Sequence, residues 1–274
     1  SECLVGSEMC IRDRMNSIQF KVLFRRYMKQ ICTNVWTIVP LILEAPFLLI
    51  ITSFVYEDGA FVEPARHFTA STTTLFLLAL SSALMGLLNS YREICKEREV
   101  LSREVFGGLD VTAYVYSKVT VLAIVGFVQT LILVFGSMTF VDYNFARPGY
   151  SIFFFIVALF LTNYSVTALG IFVSALLKKS ESAILPVLII IIMQVVFAGT
   201  VLEFDAPVKY LYYITPTMYG SSILGNVTDM NAMRTLREIY DYNIYASAAL
   251  MVVIAVVLHV LTVLKLKRDY RTKD

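Results

Sequence analysis

Long apolar runs alternate with short charged ones along this chain. A helix that crosses a bilayer needs roughly 20 mostly apolar residues, and six segments qualify: 35–56, 69–90, 119–141, 151–177, 183–202 and 246–264. The pattern predicts an all-α integral membrane protein with six transmembrane helices. Between the fifth and sixth, residues 203–245 are too polar to span and too aromatic for a free linker. Phe204, Tyr210, Tyr212, Tyr213 and Tyr219 suit an interfacial belt. Re-entrant or interfacial short helices are therefore expected there, one starting near Pro216 with Thr215 as its cap. Residues 1–14, SECLVGSEMCIRDR, fit neither a span nor a clear amphipathic helix. They are expected to be a foreign tail or scar, with Met15 as an alternative true start, and the domain is taken as 15–274.

Composition agrees with a lipid-facing chain. Apolar residues make up 58% and charged ones 16%, against about 25% charged in a soluble domain, which must cover its surface with polar groups. A net charge of +2, scattered along the chain, leaves no patch for nucleic acid. Two His and four Cys are too few for a metal cluster or a disulfide scaffold. The first 34 residues are charged throughout and hold no apolar signal-peptide region.

Charge placement orients the chain. With the N-terminus in the cytoplasm, the inner side holds 18 Lys and Arg and the outer loops hold five: Arg66, Arg147, Lys209, Arg234 and Arg237. That asymmetry predicts a cell-membrane protein with an even number of spans and both termini cytoplasmic. Cys3, Cys10, Cys32 and Cys95 then lie on or near a reducing compartment and are expected to be free thiols. Cys95 is expected to react with impermeant thiol reagents from the cytoplasmic side only.

The connection between the second and third spans, Asn89 to Lys118, is far longer than a turn and densely charged. Arg92 to Phe106 suits an amphipathic helix with Ile94, Leu101 and Val105 near one face. Glu99 and Arg103 stand four apart in the favourable order. Gly107-Gly108 supplies a stop, and Asp110 can cap the next helix. Such a helix either rests on the inner leaflet or receives force from a soluble partner, and the residues alone allow both.

Glu97-Arg98, Leu101, Arg103-Glu104 and Tyr114 through Lys118 resemble the "ERxxxLxRE…aYxxsK" pattern of ABC exporters of the white/scarlet (G) subfamily, within the ABC type 2 membrane-domain family. Tyr213-Ile214-Thr215-Pro216-Thr217-Met218-Tyr219 resembles that family's "YxxPxxY" element and follows Gly199, which ends span five. The two motifs and the span pattern cover roughly residues 20 to 270. The resemblance implies a cytoplasmic coupling helix, with Glu97, Arg98, Leu101, Arg103 and Glu104 facing an ATP-binding domain. It implies an outer interfacial element at Tyr213, Pro216 and Tyr219, and a substrate path built by two membrane domains. No GxxxxGK[ST] loop occurs in the chain, so ATP and Mg are expected on a partner nucleotide-binding domain, either fused upstream or a separate subunit.

Several polar residues fall inside the spans. Glu44 sits about 12 Å beyond Trp36, between Pro40 and Pro46. A charge at such depth costs about 2.5–3.5 kcal/mol, so Glu44 is expected to face protein or water, either bonded to a neighbouring helix or lining the substrate path, or to be protonated and bonded to a carbonyl that a proline frees. Asn163, Ser165, Thr167, Gln194 and Gln129 are expected to join helices, with a substrate contact as the alternative for each. His259 is expected to be a packed imidazole, and Asn226-Val227-Thr228 is a glycosylation sequon on the outer side. The expected function is the membrane domain of an ATP-driven exporter. Its rivals are the permease subunit of a two-gene exporter, and a channel or scaffold that needs no nucleotide. A membrane enzyme lacks the required nucleophile–base set.

Overall fold

The computed structural model describes residues 16–61, 68–143, 145, 148–200, 208–228, 230 and 242–271. Among these every regular element is helical. They are α1 (Ser17–Thr33), α2 (Val35–Val55), α3 (Phe68–Ser90), α4 (Arg98–Phe106), α5 (Val111–Ser137), α6 (Pro148–Leu176), α7 (Ile184–Val196), α8 (Pro216–Val227) and α9 (Ile244–Arg271). Short 3-10 turns precede α4 (Cys95–Glu97), α7 (Glu181–Ala183) and α8 (Val208–Ile214).

Five helices are long and apolar enough to cross a membrane: α2, α3, α5, α6 and α9. The fifth predicted span, 183–202, is the exception. Its helix α7 has 13 residues, or about 20 Å at 1.5 Å per residue, short of a hydrocarbon core of about 30 Å. The helix stops because Phe197 leaves the α-region as the C-cap and Gly199 adopts φ 72, a left-handed conformation that glycine tolerates. The helix that carries the third predicted span starts at Val111, directly after the expected cap Asp110. Asp110 caps α5 by accepting from the amides of Thr112 and Ala113 at 2.9 and 3.3 Å, so the helix is fixed well before its apolar run begins.

α6 is the hub, packing against α3, α5, α8 and α9. Close approach to α3 depends on a glycine: a Cβ on Gly86 would meet the Asn163 carbonyl oxygen at 2.3 Å. Side chains then cross the seam. The Ser82 hydroxyl donates to the Leu159 carbonyl at 2.6 Å and the Asn163 amide to the Ser82 carbonyl at 3.2 Å. α2 and α7 lie at the margin, with exposed Leu43, Phe47 and Phe54 on the first and Leu185, Leu188 and Ile192 on the second.

Between the last two predicted spans, the described helix α8 is folded inward. α8 does start at Pro216, and ten of its other residues are buried, among α3, α6 and α9. It packs inside the helix bundle rather than against its outside. Thr215 precedes it without a side-chain capping bond. Its hydroxyl turns back to the Leu211 carbonyl at 3.2 Å, and Gln194 of α7 accepts from the Thr217 amide at 3.3 Å instead. The expected tail at 1–14, the outer cations Arg66, Arg147, Arg234 and Arg237, and Phe204 lie outside the described residues, as does the Lys209 side chain.

Candidate functional site at the charged end of the bundle

The charged connection between α3 and α5 folds into α4 and its preceding turn. The α-helix begins at Arg98 rather than Arg92 because α6 competes for the backbone upstream. The Ile94 and Cys95 amides both donate to the Ser174 hydroxyl at 3.0 Å. Leu101 and Ile94 are buried, and Val105 packs against the same cluster. The end of α4 follows the glycine pair closely. The Leu109 amide donates to the Glu104 carbonyl and the Gly108 amide to the Val105 carbonyl, each at 3.0 Å. Gly108 holds φ 91. These two bonds with a left-handed glycine form a Schellman stop.

Three ionic anchors fix the inner side of this element. The first is buried. Lys118, eight residues into α5, has a side chain only 3% exposed and binds Glu93 at 3.1 Å and Glu97 at 2.8 Å. Its ammonium lies over the Tyr27 ring, 4.3 Å from the centroid. Tyr27 and Lys96 also donate to Glu93, and the Tyr114 hydroxyl donates to Glu97 at 3.1 Å. Burial would push the Glu93 carboxyl up, but Lys118 and Lys96 outweigh it and hold the group below its ordinary range. Burial and the adjoining Glu93 carboxylate push the Tyr27 hydroxyl upward, so it stays a donor.

The second anchor is Arg98. One guanidinium nitrogen donates to the carbonyls of Ala175 and Leu177, each at 2.9 Å, at the C-terminal end of α6. The other binds Asp269 of α9, which also pairs with Lys265. A cation at a helix C-terminus meets unpaired carbonyls and the negative end of the helix dipole. The third anchor, Arg26 of α1, grips Glu104 with both guanidinium nitrogens at 2.7 and 3.1 Å. It is half exposed, so it fixes geometry more than it adds stability.

Of the residues expected to face a partner, Glu97, Arg98, Leu101 and Glu104 thus turn into the domain. Arg103 is exposed, as are Glu99, Val100 and Phe106. Among the described residues Glu99 and Arg103 form no ion pair, and these four exposed side chains make the outer face of α4. Cys95, expected to be accessible, is buried beside Ser174, while Cys32 at the end of α1 is exposed. Of these two described thiols, Cys32 is the one expected to label.

The remaining candidates do not join this site. Glu44 turns to α5, where the Gln129 amide donates to it at 3.1 Å and to the Leu41 carbonyl at 2.8 Å. The Asn89 amide of α3 donates to the Gln129 carbonyl oxygen at 2.8 Å, so the three form one chain across α2, α5 and α3. Among the described residues Glu44 makes no hydrogen bond to the carbonyls freed by Pro40 and Pro46, which are those of Trp36 and Ile42. Glu44→Gln should preserve folding and insertion, since Gln129 keeps an acceptor. Glu44→Lys removes the acceptor that the Gln129 amide uses and should be destabilising, read as lost yield of inserted protein or a lowered melting temperature.

Asn163 and Thr167 join α6 to α3; the Thr167 hydroxyl donates to the Gly86 carbonyl at 3.3 Å. Ser165 reaches the Met251 carbonyl of α9 at 3.0 Å, and Gln194 holds α8. At the opposite end of α8 from its cap, the Asn226 amide donates to the carbonyls of Ser222 and Tyr242 at 3.1 and 3.0 Å. The nitrogen of that sequon is engaged inside the helix packing. Tyr219 donates to the Tyr213 carbonyl at 2.8 Å, so Tyr213, Pro216 and Tyr219 form one local turn. His259 lies against the Tyr164 hydroxyl at 3.1 Å.

Sequence reasoning gave no role to Glu93, Tyr27, Arg26 or Asp269, and Lys118 entered only as part of a motif. One signal was available: a lysine inside an otherwise apolar helix is expensive and needs a buried partner.

A model of the ABC-2 type transporter family matches residues 18–227 of this chain. The ABC transporter ATP-binding/permease protein Rv1747 of Mycobacterium tuberculosis is 28% identical over 165 residues, covering 57% of this chain. The matched stretch is 19% of that protein, so the chain spans a small part of its relative's length.

Proposed function

Since this chain belongs to the ABC-2 type transporter family, whose members are multi-pass membrane transport proteins, we propose that it is the membrane domain of an ATP-driven exporter, driven by a nucleotide-binding domain that docks on the outer face of α4. The observation that carries this reading is the division of labour in α4. Its inner side is tied to α1, α5, α6 and α9 by Glu97, Arg98 and Glu104, while Glu99, Val100, Arg103 and Phe106 stay exposed. A partner pushing on that outer face would move four helices together. The chain contributes no chemistry of its own in this reading, and ATP and Mg bind on the partner. The similar protein's name joins ATP-binding and permease functions in one chain, which favours a fused arrangement.

In this proposal α7 with its preceding turn, continued by residues 197–200, is a sixth crossing, and both termini lie in the cytoplasm at the cell membrane. Two such domains face each other through their marginal helices and enclose the substrate path. The positive charge at the α4 end supports the orientation.

The experiment is recovery of the nucleotide-binding domain with detergent-solubilised chain. Phe106 is 64% exposed although it lies on a charged element, and exposed aromatics of this kind anchor interfaces. Phe106→Ala with Arg103→Glu is expected to lower recovery at least roughly tenfold, leaving the melting temperature of the membrane domain unchanged. Undiminished recovery would remove the docking assignment.

A further inference from the structure

We propose that the exposed face of α1 is a binding surface for the headgroups of anionic phospholipids. The helix Ser17–Thr33 contains Lys21, Arg25, Arg26 and Lys29 and no Asp or Glu. Leu23, Tyr27 and Ile31, spaced four apart, form its buried stripe, packed toward α5. Lys21, Arg25 and Lys29 repeat the same spacing on the far side and are exposed. Side chains four apart stack on one face, so the three cations form a row about 12 Å long. Among the described residues none of the three is in an ion pair. Arg26, at the flank of the row, is the one that the protein uses internally, on Glu104.

The depth of this face is fixed by the chain itself. Asn34 alone separates Thr33 from Val35, the first residue of an apolar helix long enough to cross a membrane. Trp36, the single tryptophan, is 90% exposed at that junction, and indoles favour the headgroup boundary. Ile18 and Val22, 76% and 63% exposed, lie among the three cations. A solvated basic face would have no use for them, whereas a helix in the interface buries such residues beside its charges. An acidic soluble partner would match the charge but neither the exposed aliphatics nor the one-residue joint to a span. Each basic residue near an anionic surface favours it roughly fivefold, an effect that salt screens. The inference is independent of ATP-driven transport.

The test uses the full chain in mixed vesicles of phosphatidylcholine and phosphatidylglycerol, with bromine on the acyl chains of one lipid or the other. Brominated phosphatidylglycerol is expected to quench Trp36 several times more strongly, mole for mole, than brominated phosphatidylcholine. The excess should fade as salt is raised and should be absent in K21Q/R25Q/K29Q, while K21R/R25K/K29R retains it. Equal quenching by the two lipids would overturn the proposal and leave the basic face to a soluble acidic partner. So would a preference in the native chain that survives high salt, a readout that does not depend on the variants folding.

Discussion

Lys118→Met is expected to destabilise the protein by about 3–5 kcal/mol, the usual cost of removing one partner from a buried ion pair. Methionine fills most of the lysine's volume, so the loss is electrostatic. Glu93 and Glu97 would face each other without the ammonium that now lies 3.1 and 2.8 Å from them. The variant should also respond to pH in the opposite sense. In the native chain Glu93 is held below its ordinary value of 4.5. Its stabilising contribution is therefore complete above that value and is lost as pH falls through the lower folded value. In Lys118→Met, burial is no longer offset to the same degree, and acid that neutralises Glu93 should recover part of the lost stability. Melting temperatures in detergent from pH 7 down to about pH 4 test both signs. A variant that melts like the native chain would show that the buried cluster does not hold α4 in place.

Arg98→Lys, a change that keeps the charge, is expected to cost about 2–3 kcal/mol. One lysine nitrogen can still reach Asp269 but cannot also serve the Ala175 and Leu177 carbonyls in the fixed fork that Arg98 provides. A hydrogen bond to a charged group contributes about 1.5–3 kcal/mol, and stranded carbonyls add a desolvation penalty. The loss should be local, because Arg98 ties the ends of α6 and α9 while Lys118 independently ties α5 and α1. Hydrogen exchange should therefore rise at Ala175–Leu177 and near Asp269 and stay unchanged around Tyr27. Exchange rising across all four helices would mean that the anchors act as one unit.

What the sequence disclosed here was local. Gly107-Gly108 and Asp110 punctuate α4 and α5 as expected because each acts within a few residues of itself, through a left-handed glycine and a side-chain cap. The apolar runs located five long helices for the same reason. Glu93 was illegible because its partners, Tyr27 and Lys118, lie 66 and 25 residues away, and only packing brings them together. The start of α4 was misplaced because the Ser174 hydroxyl on α6 takes the Ile94 and Cys95 amides. For α8, expected as re-entrant or interfacial, the sequence carries a further signal of close packing besides the tyrosines. Gly220-Ser221-Ser222 is a run of small residues, of the kind that lets helices approach closely in a membrane, and all three are buried.

The central claim is that the outer face of α4 receives the work of ATP hydrolysis and its inner anchors pass it to the spans. The most direct measurement reconstitutes the chain with its nucleotide-binding domain in liposomes and records hydrolysis and substrate flux together. Arg103→Glu with Phe106→Ala touches the exposed face alone, so hydrolysis should persist while flux per ATP falls at least roughly tenfold. Flux per ATP equal to that of the native chain would contradict the account.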